Sequence, residues 1–364
     1  PVGKRRLDLW LDAWIYEARS GSTPASLNYS NENRHVGGSC RLPPFPYLSL
    51  STHLAKSMAS AFGAFVAPDY PVRVDSFGSN PGALKMFVYA PPRLRAGRPL
   101  VVVLHGCSQY AASFAADAGW IALARQYRFA LLLPEQSRAN NHLGCFNWYR
   151  SEDVRRNSGE AMSIRQMIRR AVKLYGSDPR QIFVAGFSAG GGMAAALLAA
   201  YPALIAAGGI FAGMPVGCAH TGVGALIKMR RSGSDLARAS LARSVSGGGK
   251  PRRSWPRVLI WQGEKDRTVD PQNAEVLAAQ WSELKGFGPV ATATETTPLY
   301  QRRSWSRRNL PASVELWTMN SVGHGFPVDP GKSANCRVGT FVVDAGLSGT
   351  HMMAEFWGLI PPKK

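Results

Sequence analysis

The chain has 364 residues, 45% of them hydrophobic, which supplies a buried core and excludes wholesale disorder. Its 43 Lys and Arg against 23 Asp and Glu leave a formal net charge of +20, a balance that suits an anionic surface or a solvated basic exterior. Five cysteines (Cys40, Cys107, Cys145, Cys218 and Cys336) with no CxxC pair exclude a disulfide scaffold, a zinc ribbon and a thioredoxin-like site, and their odd number leaves at least one thiol unpaired.

Residues 1–60 read as an extension rich in Ser, Asn, Pro and Gly. Within it Leu7, Trp10, Leu11 and Trp14 fall at helical spacing, so Leu7–Tyr16 is expected as a short docking helix, and Asn28–Pro46 as loop. No signal peptide is visible; the opening Pro1 suggests a trimmed chain that leaves room for an earlier leader. Residues 61–364 read as one catalytic domain.

From about Pro71, strands and helices alternate. Leu84–Ala90, Pro99–Gly106, Arg128–Pro134, Gln181–Phe187, Leu204–Phe211, Arg257–Gln262 and Val314–Met319 are apolar runs of strand length. Between them Ser113–Tyr127, Gly159–Tyr175, an Ala-rich run after Ser188 and Pro271–Leu284 have helical character. The second carries Ile164, Ile168, Ala171, Val172 and Tyr175 on one face. Gln181–Ala219 contains no charged residue, yet its glycines and Pro202 divide it into strand, turn, helix and strand rather than a membrane span. Residues 221–256 interrupt the alternation and are expected as an insertion near the site mouth or a solvated loop, with Ser246–Lys250 as a flexible turn. The whole pattern predicts an α/β fold whose mostly parallel sheet is covered on both faces. Ligands bind such sheets at the carboxyl ends of the strands, so the loops after strands are where chemistry is sought.

Gly186-Phe187-Ser188-Ala189-Gly190 sits between a hydrophobic strand and a small-residue helix. That context makes Ser188 a nucleophile on a tight strand-to-helix elbow, with the helix N-terminus favouring developing negative charge. Of the histidines that follow, His324 lies directly after a strand between two glycines that let its imidazole swing inward. His351 falls in the last helical run, and His220 lies too far beyond its strand. The acid is sought after Arg257–Gln262, where Asp266 is preferred and Glu264 is the fallback. Asp270, just before Pro271, has a sufficient role as a helix cap. Two N–H donors for an oxyanion are expected from Ala189 and from the loop His105–Ser108, with Cys107 preferred and His105 holding the loop.

Several stretches carry no chemistry. Gly249-Lys250 fails as a P-loop, because Ser244 and Pro251 stand where Gly and Ser/Thr belong. No metal-ligand spacing occurs. The basic pieces Lys228–Arg231 and Arg302–Arg308 come with no nucleic-acid-binding pattern and are expected as solvated surface, so no nucleic-acid partner is expected.

Val102–Gln109, Cys145–Trp148, Ser158-Gly159-Glu160, Asp178-Pro179-Arg180, Gly186–Gly192, Ala212–Ala219, Trp261-Gln262-Gly263, Gly323-His324-Gly325 and Phe356–Leu359 together resemble the poly(3-hydroxybutyrate) depolymerase-type esterases of the α/β-hydrolase superfamily. The resemblance runs in consistent order over residues 70–360; residues 1–60 have no counterpart in it. It implies a Ser-Asp-His triad on Ser188, Asp266 and His324, no metal or organic cofactor, and small or polymeric ester substrates of the hydroxyalkanoate, acetyl or feruloyl kind. It also implies an extracellular or periplasmic location, with the cytoplasm left open. Trp148 and Phe326, each in a family motif at the strand-end edge, are expected to wall a substrate pocket. The runner-up expectation is a catalytically idle protein on the same fold that binds an anionic polymer through its basic surface. Because adjacent strand-end loops meet at one edge, a Cys107–Cys145 disulfide is expected if the protein matures under oxidising conditions. Cys218–Cys336 is a weaker second pair, leaving Cys40 free.

Overall fold

A computed structural model describes residues 69–232, 240, 242, 243, 245, 255–332 and 336–361. The expected helix Leu7–Tyr16, the expected loop Asn28–Pro46, Cys40 and the turn Ser246–Lys250 lie outside them.

The strands are β1 (Val72–Val74), β2 (Lys85–Tyr89), β3 (Leu100–Leu104), β4 (Ala130–Glu135), β5 (Ile182–Phe187), β6 (Ala207–Phe211), β7 (Arg257–Gly263), β8 (Ala293–Thr296), β9 (Tyr300–Trp305), β10 (Val314–Met319), β11 (Phe326–Val328) and β12 (Val342–Asp344). The first ten form one sheet in the order β1-β2-β4-β3-β5-β6-β7-β10-β9-β8. Its centre, from β4 to β10, is parallel, and antiparallel pairs close each side. The short strands β11 and β12 pair separately.

Continuous apolar sequence is what places β3, β4, β5 and β6 in the interior. Every residue of each is buried, as a strand covered on both faces requires. Alternate side chains go to opposite faces. Val102, Leu104, Val184, Ile210 and Ile260 point into one core, and Val101, Val103, Phe183, Phe187 and Trp261 into the other.

The helices divide accordingly. α1 (Ala111–Asp117), α2 (Trp120–Tyr127) and α8 (Gly349–Trp357) cover the second face. α4 (Gly159–Tyr175), α5 (Ala189–Ala200) and α7 (Gln272–Leu284) cover the first. α3 (Ser151–Val154) precedes α4, and α6 (Gly222–Arg230) begins the segment between β6 and β7. Burying each large apolar side chain contributes about 1.5–3 kcal/mol, so two full cores account for the fold's cohesion.

Two expectations need correction, and one element was not foreseen. The run Ser113–Tyr127 is two helices, because Gly119 sits at φ 82°, a left-handed conformation that breaks the hydrogen-bond ladder. The hairpin β8–β9 extends the sheet beyond β10 and has no apolar run to announce it: Ala293–Thr296 is wholly exposed. The basic stretch beginning at Arg302 is not simply solvated surface. Arg302 forms a two-pronged pair with buried Glu315, at 2.5 and 3.2 Å, and lies over the Trp317 ring, while Arg303 pairs with Glu275.

Residues Gln181–Ala219 resolve into β5, α5, β6 and the loop after it, as expected. Among the described residues no helix is long and apolar enough to cross a membrane.

Candidate active site

Register decides which loops meet. In the parallel centre Leu104 pairs with Gly186, Phe187 with Phe211, Phe211 with Trp261, and Gly263 with Met319. The strands therefore end together, and the loops after β3, β5, β7 and β10 open on one edge. Those loops carry Cys107, Ser188, Asp266 and His324.

Ser188 stands between β5 and α5 with φ 56° and ψ −119°. A non-glycine residue in that region stores strain, of order 1–3 kcal/mol, and the surrounding structure must hold it. Here the Ser188 N–H donates to the Phe211 carbonyl at 2.8 Å, and the Ser188 carbonyl accepts from Gly192 N–H at 3.0 Å. The hydroxyl makes no capping bond to the helix it precedes. Gly190 lets the loop after β3 close over this elbow; a Cβ there would strike the carbonyls of Leu104 and His105.

His324 Nε2 lies 3.1 Å from Ser188 Oγ, and its Nδ1 lies 2.7 Å from Asp266 Oδ2. With the carboxylate as acceptor, Nδ1 carries the proton and Nε2 is left to accept from the hydroxyl. The Asp266 side chain is fully buried and the His324 side chain is 9% exposed, so the relay is shielded from bulk water.

A buried carboxylate needs partners, and Asp266 has them. Oδ1 accepts from the N–H groups of Thr268 and Val269, both at 2.8 Å, and Oδ2 accepts from Gln262 Nε2 at 3.0 Å as well as from the imidazole. Glu264, two residues earlier, is exposed. Asp270 Oδ1 accepts from Gln272 N–H at 2.9 Å, a capping bond at the start of α7. His220 is exposed, and His351 lies in α8, so neither joins the cluster.

Cys107 and Cys145 form a disulfide, with Cα atoms 4.2 Å apart. Cys218 and Cys336 are not bonded to each other: Cys218 packs against the core on one face of the sheet and Cys336 against the core on the other. Among the described residues neither Cys107 N–H nor Ala189 N–H has an acceptor within the protein. His105 is buried and burial lowers its pKa, keeping the ring neutral. Its Nδ1–H donates to the Gly106 carbonyl at 2.7 Å and Nε2 accepts from Gln136 N–H at 3.1 Å.

One element of the site escaped sequence reasoning. Glu160 is buried at the start of α4 and accepts from Gln136 Nε2 at 2.5 Å and from Asn147 at 2.9 Å (N–H) and 2.8 Å (Nδ2). Burial, with the Asp153 charge second, pushes its carboxyl up to about 8, against the pull of those hydrogen bonds. Gln136 also donates to the Cys145 carbonyl at 3.0 Å. The network therefore ties the loop of His105 and Cys107 to the Cys145–Trp148 segment. Both motifs were visible in the sequence, but nothing local connects them.

Trp148 packs on α5 at Gly192, one turn past Ser188, with 8% of its surface exposed. Phe326 is not a pocket wall. It is 1% exposed and sits among Phe114, Phe187 and Phe211, in the core beneath the His324 loop. Among the described residues no group of three or more His, Cys, Asp or Glu is placed to hold a metal ion.

A model of the family described as esterase PHB depolymerase matches residues 84–299. The chain is 34% identical over 326 residues to poly(3-hydroxyalkanoate) depolymerase C of Paucimonas lemoignei, covering 86% of this chain and 77% of that one. It is 28% identical over 278 residues to an acetylxylan esterase of Coprinopsis cinerea, covering 72% and 71% of the two chains. Among solved structures, an acetyl xylan esterase from Aspergillus awamori superposes with a TM-score of 0.65 at 24% identity, over 80% of this chain and 99% of that one, a likeness of fold.

Proposed function

The chain belongs to the esterase PHB depolymerase family and is a carboxylic ester hydrolase, and from that premise we propose that Ser188, His324 and Asp266 are its catalytic triad. The observation that carries this reading is the relay Ser188 Oγ to His324 Nε2 to Asp266 Oδ2, at 3.1 and 2.7 Å. In it, Ser188 Oγ attacks the ester carbonyl carbon while His324 Nε2 takes the hydroxyl proton. Asp266 orients the ring and stabilises the imidazolium. The carbonyl oxygen, now an oxyanion, accepts from the N–H groups of Cys107 and Ala189 at the N-terminus of α5. Collapse of the tetrahedral intermediate expels the alcohol, which takes the proton from Nε2. Water then repeats the sequence on the acyl-enzyme and releases the acid.

The relatives name the substrate classes to try: hydroxyalkanoate polyester, acetylxylan and feruloyl esters. Trp148 is proposed as a wall of the substrate pocket, beside the nucleophile's helix. Residues 61–364 are proposed as the catalytic domain, with residues 1–60 as an extension of it. The Cys107–Cys145 bond suits maturation in an oxidising compartment, so an extracellular or periplasmic site of action is proposed.

A panel of hydroxybutyrate oligomers, feruloyl, acetyl and short p-nitrophenyl esters, run with wild type and Ser188→Ala, tests the reading. Turnover of at least one ester that vanishes in Ser188→Ala is expected; turnover near the wild-type rate in the variant overturns the assignment. An idle binding protein on this fold would turn over none of them, and family membership does not favour it.

A further inference from the structure

A cleft of about 490 Å3 is lined by Arg93, Arg95, Arg98 and Arg128. Arg98 stands two residues before β3 and Arg128 two residues before β4, and these strands are parallel. The cleft is therefore at the amino end of β3, whereas the Cys107 loop leaves its carboxyl end. A five-residue strand separates the two, roughly 17 Å of backbone.

Two of the guanidiniums are held in place. Arg98 donates from Nε to the Arg128 carbonyl and from Nη2 to the Tyr127 carbonyl, both at 2.6 Å. Arg128 Nη2 donates to the carbonyls of Pro92 at 2.6 Å and Arg93 at 2.9 Å. The loop beneath them is pinned in turn: Gly97 N–H donates to the Gly176 carbonyl at 2.7 Å, and Asp178 N–H to the Arg98 carbonyl at 3.1 Å. Carbonyl acceptors orient a guanidinium without cancelling its charge. Among the described residues none of the four arginines pairs with a carboxylate, unlike Arg125, Arg302 and Arg303, which do. Asp178, close by in the chain contacts, gives its carboxylate to Arg180 and Gln181.

Arg93 also holds left-handed backbone, with φ 57°, a conformation that costs free energy and gathers at ligand clamps; the left-handed φ of Arg128, 61°, is the C-cap of α2. Four uncompensated cations around one cleft repel each other, and a dense anion relieves that repulsion. The planar fork of Arg matches tetrahedral phosphate oxygens in pairs, and charge-assisted bonds of this kind are the strong ones. A cleft of this size lies in the range of ligand sites and has room for more than one phosphoryl group.

We infer that this cleft is a second binding site, separate from ester hydrolysis, for a multiply charged phosphate-type oxyanion. The same phosphoryl chemistry is carried by soluble oligophosphates and by the headgroups of anionic lipids. In either case the occupied cleft leaves the Ser188 edge open, because the two sites lie at opposite ends of the sheet.

Isothermal titration of the full chain tests this in two arms, one with tripolyphosphate and one with phosphatidylcholine vesicles containing cardiolipin, whose headgroup carries two phosphates. Saturable binding is expected in at least one arm, and the arm that responds identifies the source of the phosphoryl group. Arg93 and Arg95 are exposed and their side chains make no hydrogen bond among the described residues, so the double variant Arg93→Gln/Arg95→Gln keeps the fold. It should weaken binding roughly tenfold or more, from loss of two charge-assisted contacts. The control Arg307→Gln/Arg308→Gln, which removes the same charge from another exposed stretch, should bind as wild type does, and so should Ser188→Ala. Absence of binding in both arms, an equal loss in the control, or competitive inhibition of ester turnover by the bound anion overturns the inference.

Discussion

Cys107 is bonded to Cys145, so the residue whose N–H is proposed to hold the oxyanion is covalently tied to the segment that leads to Trp148. The bond closes a loop over a sequence separation of 38 residues. On the chain-entropy estimate that constraint contributes about 4 kcal/mol of stability. Cys145→Ser, or reduction with dithiothreitol, should lower the melting temperature and also reduce kcat, by up to roughly 10²-fold if the Cys107 N–H loses its aim. A melting curve and a kcat measurement on the reduced protein check both; unchanged kcat would remove Cys107 from the oxyanion site.

Ser188→Ala and His324→Ala should each lower kcat by on the order of 10⁴- to 10⁶-fold without unfolding the protein, since triad members act as a unit. Asp266→Asn should cost about 10⁴-fold, because an amide favours the wrong imidazole tautomer. Glu264→Gln, at an exposed position, should leave turnover within a few-fold of wild type. Asp270→Asn should do the same, with at most about 1 kcal/mol of stability lost at the start of α7. Steady-state kinetics on one soluble ester separates these outcomes.

Gly190→Ala should be far more damaging than an ordinary Gly→Ala change in a helix, which gains about 1 kcal/mol. The new Cβ would meet the backbone carbonyls of Leu104 and His105, which have no rotamer to escape into. The expected result is a loss of 1–3 kcal/mol or more by urea denaturation, at the order of magnitude of overpacking, together with a fall in kcat as the β3 loop is pushed off Ser188. Wild-type kcat in the folded variant would contradict the close approach.

Glu160 links stability to pH. Burial pushes its carboxyl up to about 8 in the folded protein, from the ordinary 4.5 of a glutamic acid. A raised acid pKa means that the folded state binds the proton more tightly. The stabilisation is complete below about 4.5 and is lost as pH rises through about 8. Unfolding free energy from urea titrations should therefore decline across that window by a few kcal/mol in order of magnitude. Glu160→Gln should flatten the slope whatever its effect on absolute stability; an unchanged slope would place the titrating group elsewhere.

The core strands, and the placing of the proposed triad in loops after strands, were legible in the sequence alone. Runs such as Leu100–Leu104 and Ile182–Phe187 are apolar throughout, and only a strand buried on both faces needs that. Ser188, Asp266 and His324 were legible because each follows a strand, and a parallel sheet sends every such loop to the same edge. Local signals also placed Gly159–Tyr175 as a helix to the residue. They failed where the deciding contact comes from a distant part of the chain. Phe326 stands in a site motif, yet its ring fills the core between Phe187 and Phe211. Cys218 and Cys336 both lie in loops, but they pack against cores on opposite faces of the sheet. Glu160 reads as the first acid of a helix until Gln136 and Asn147, both in the loop after β4, are brought to it. The hairpin β8–β9 has no apolar pattern, and the edge of β10 supplies its hydrogen bonds. Periodicity records what a segment's own backbone and neighbours require. Which face a side chain meets, and which charge finds a partner, is settled only when strands far apart in sequence become adjacent, because burial and hydrogen bonding are properties of the assembled sheet.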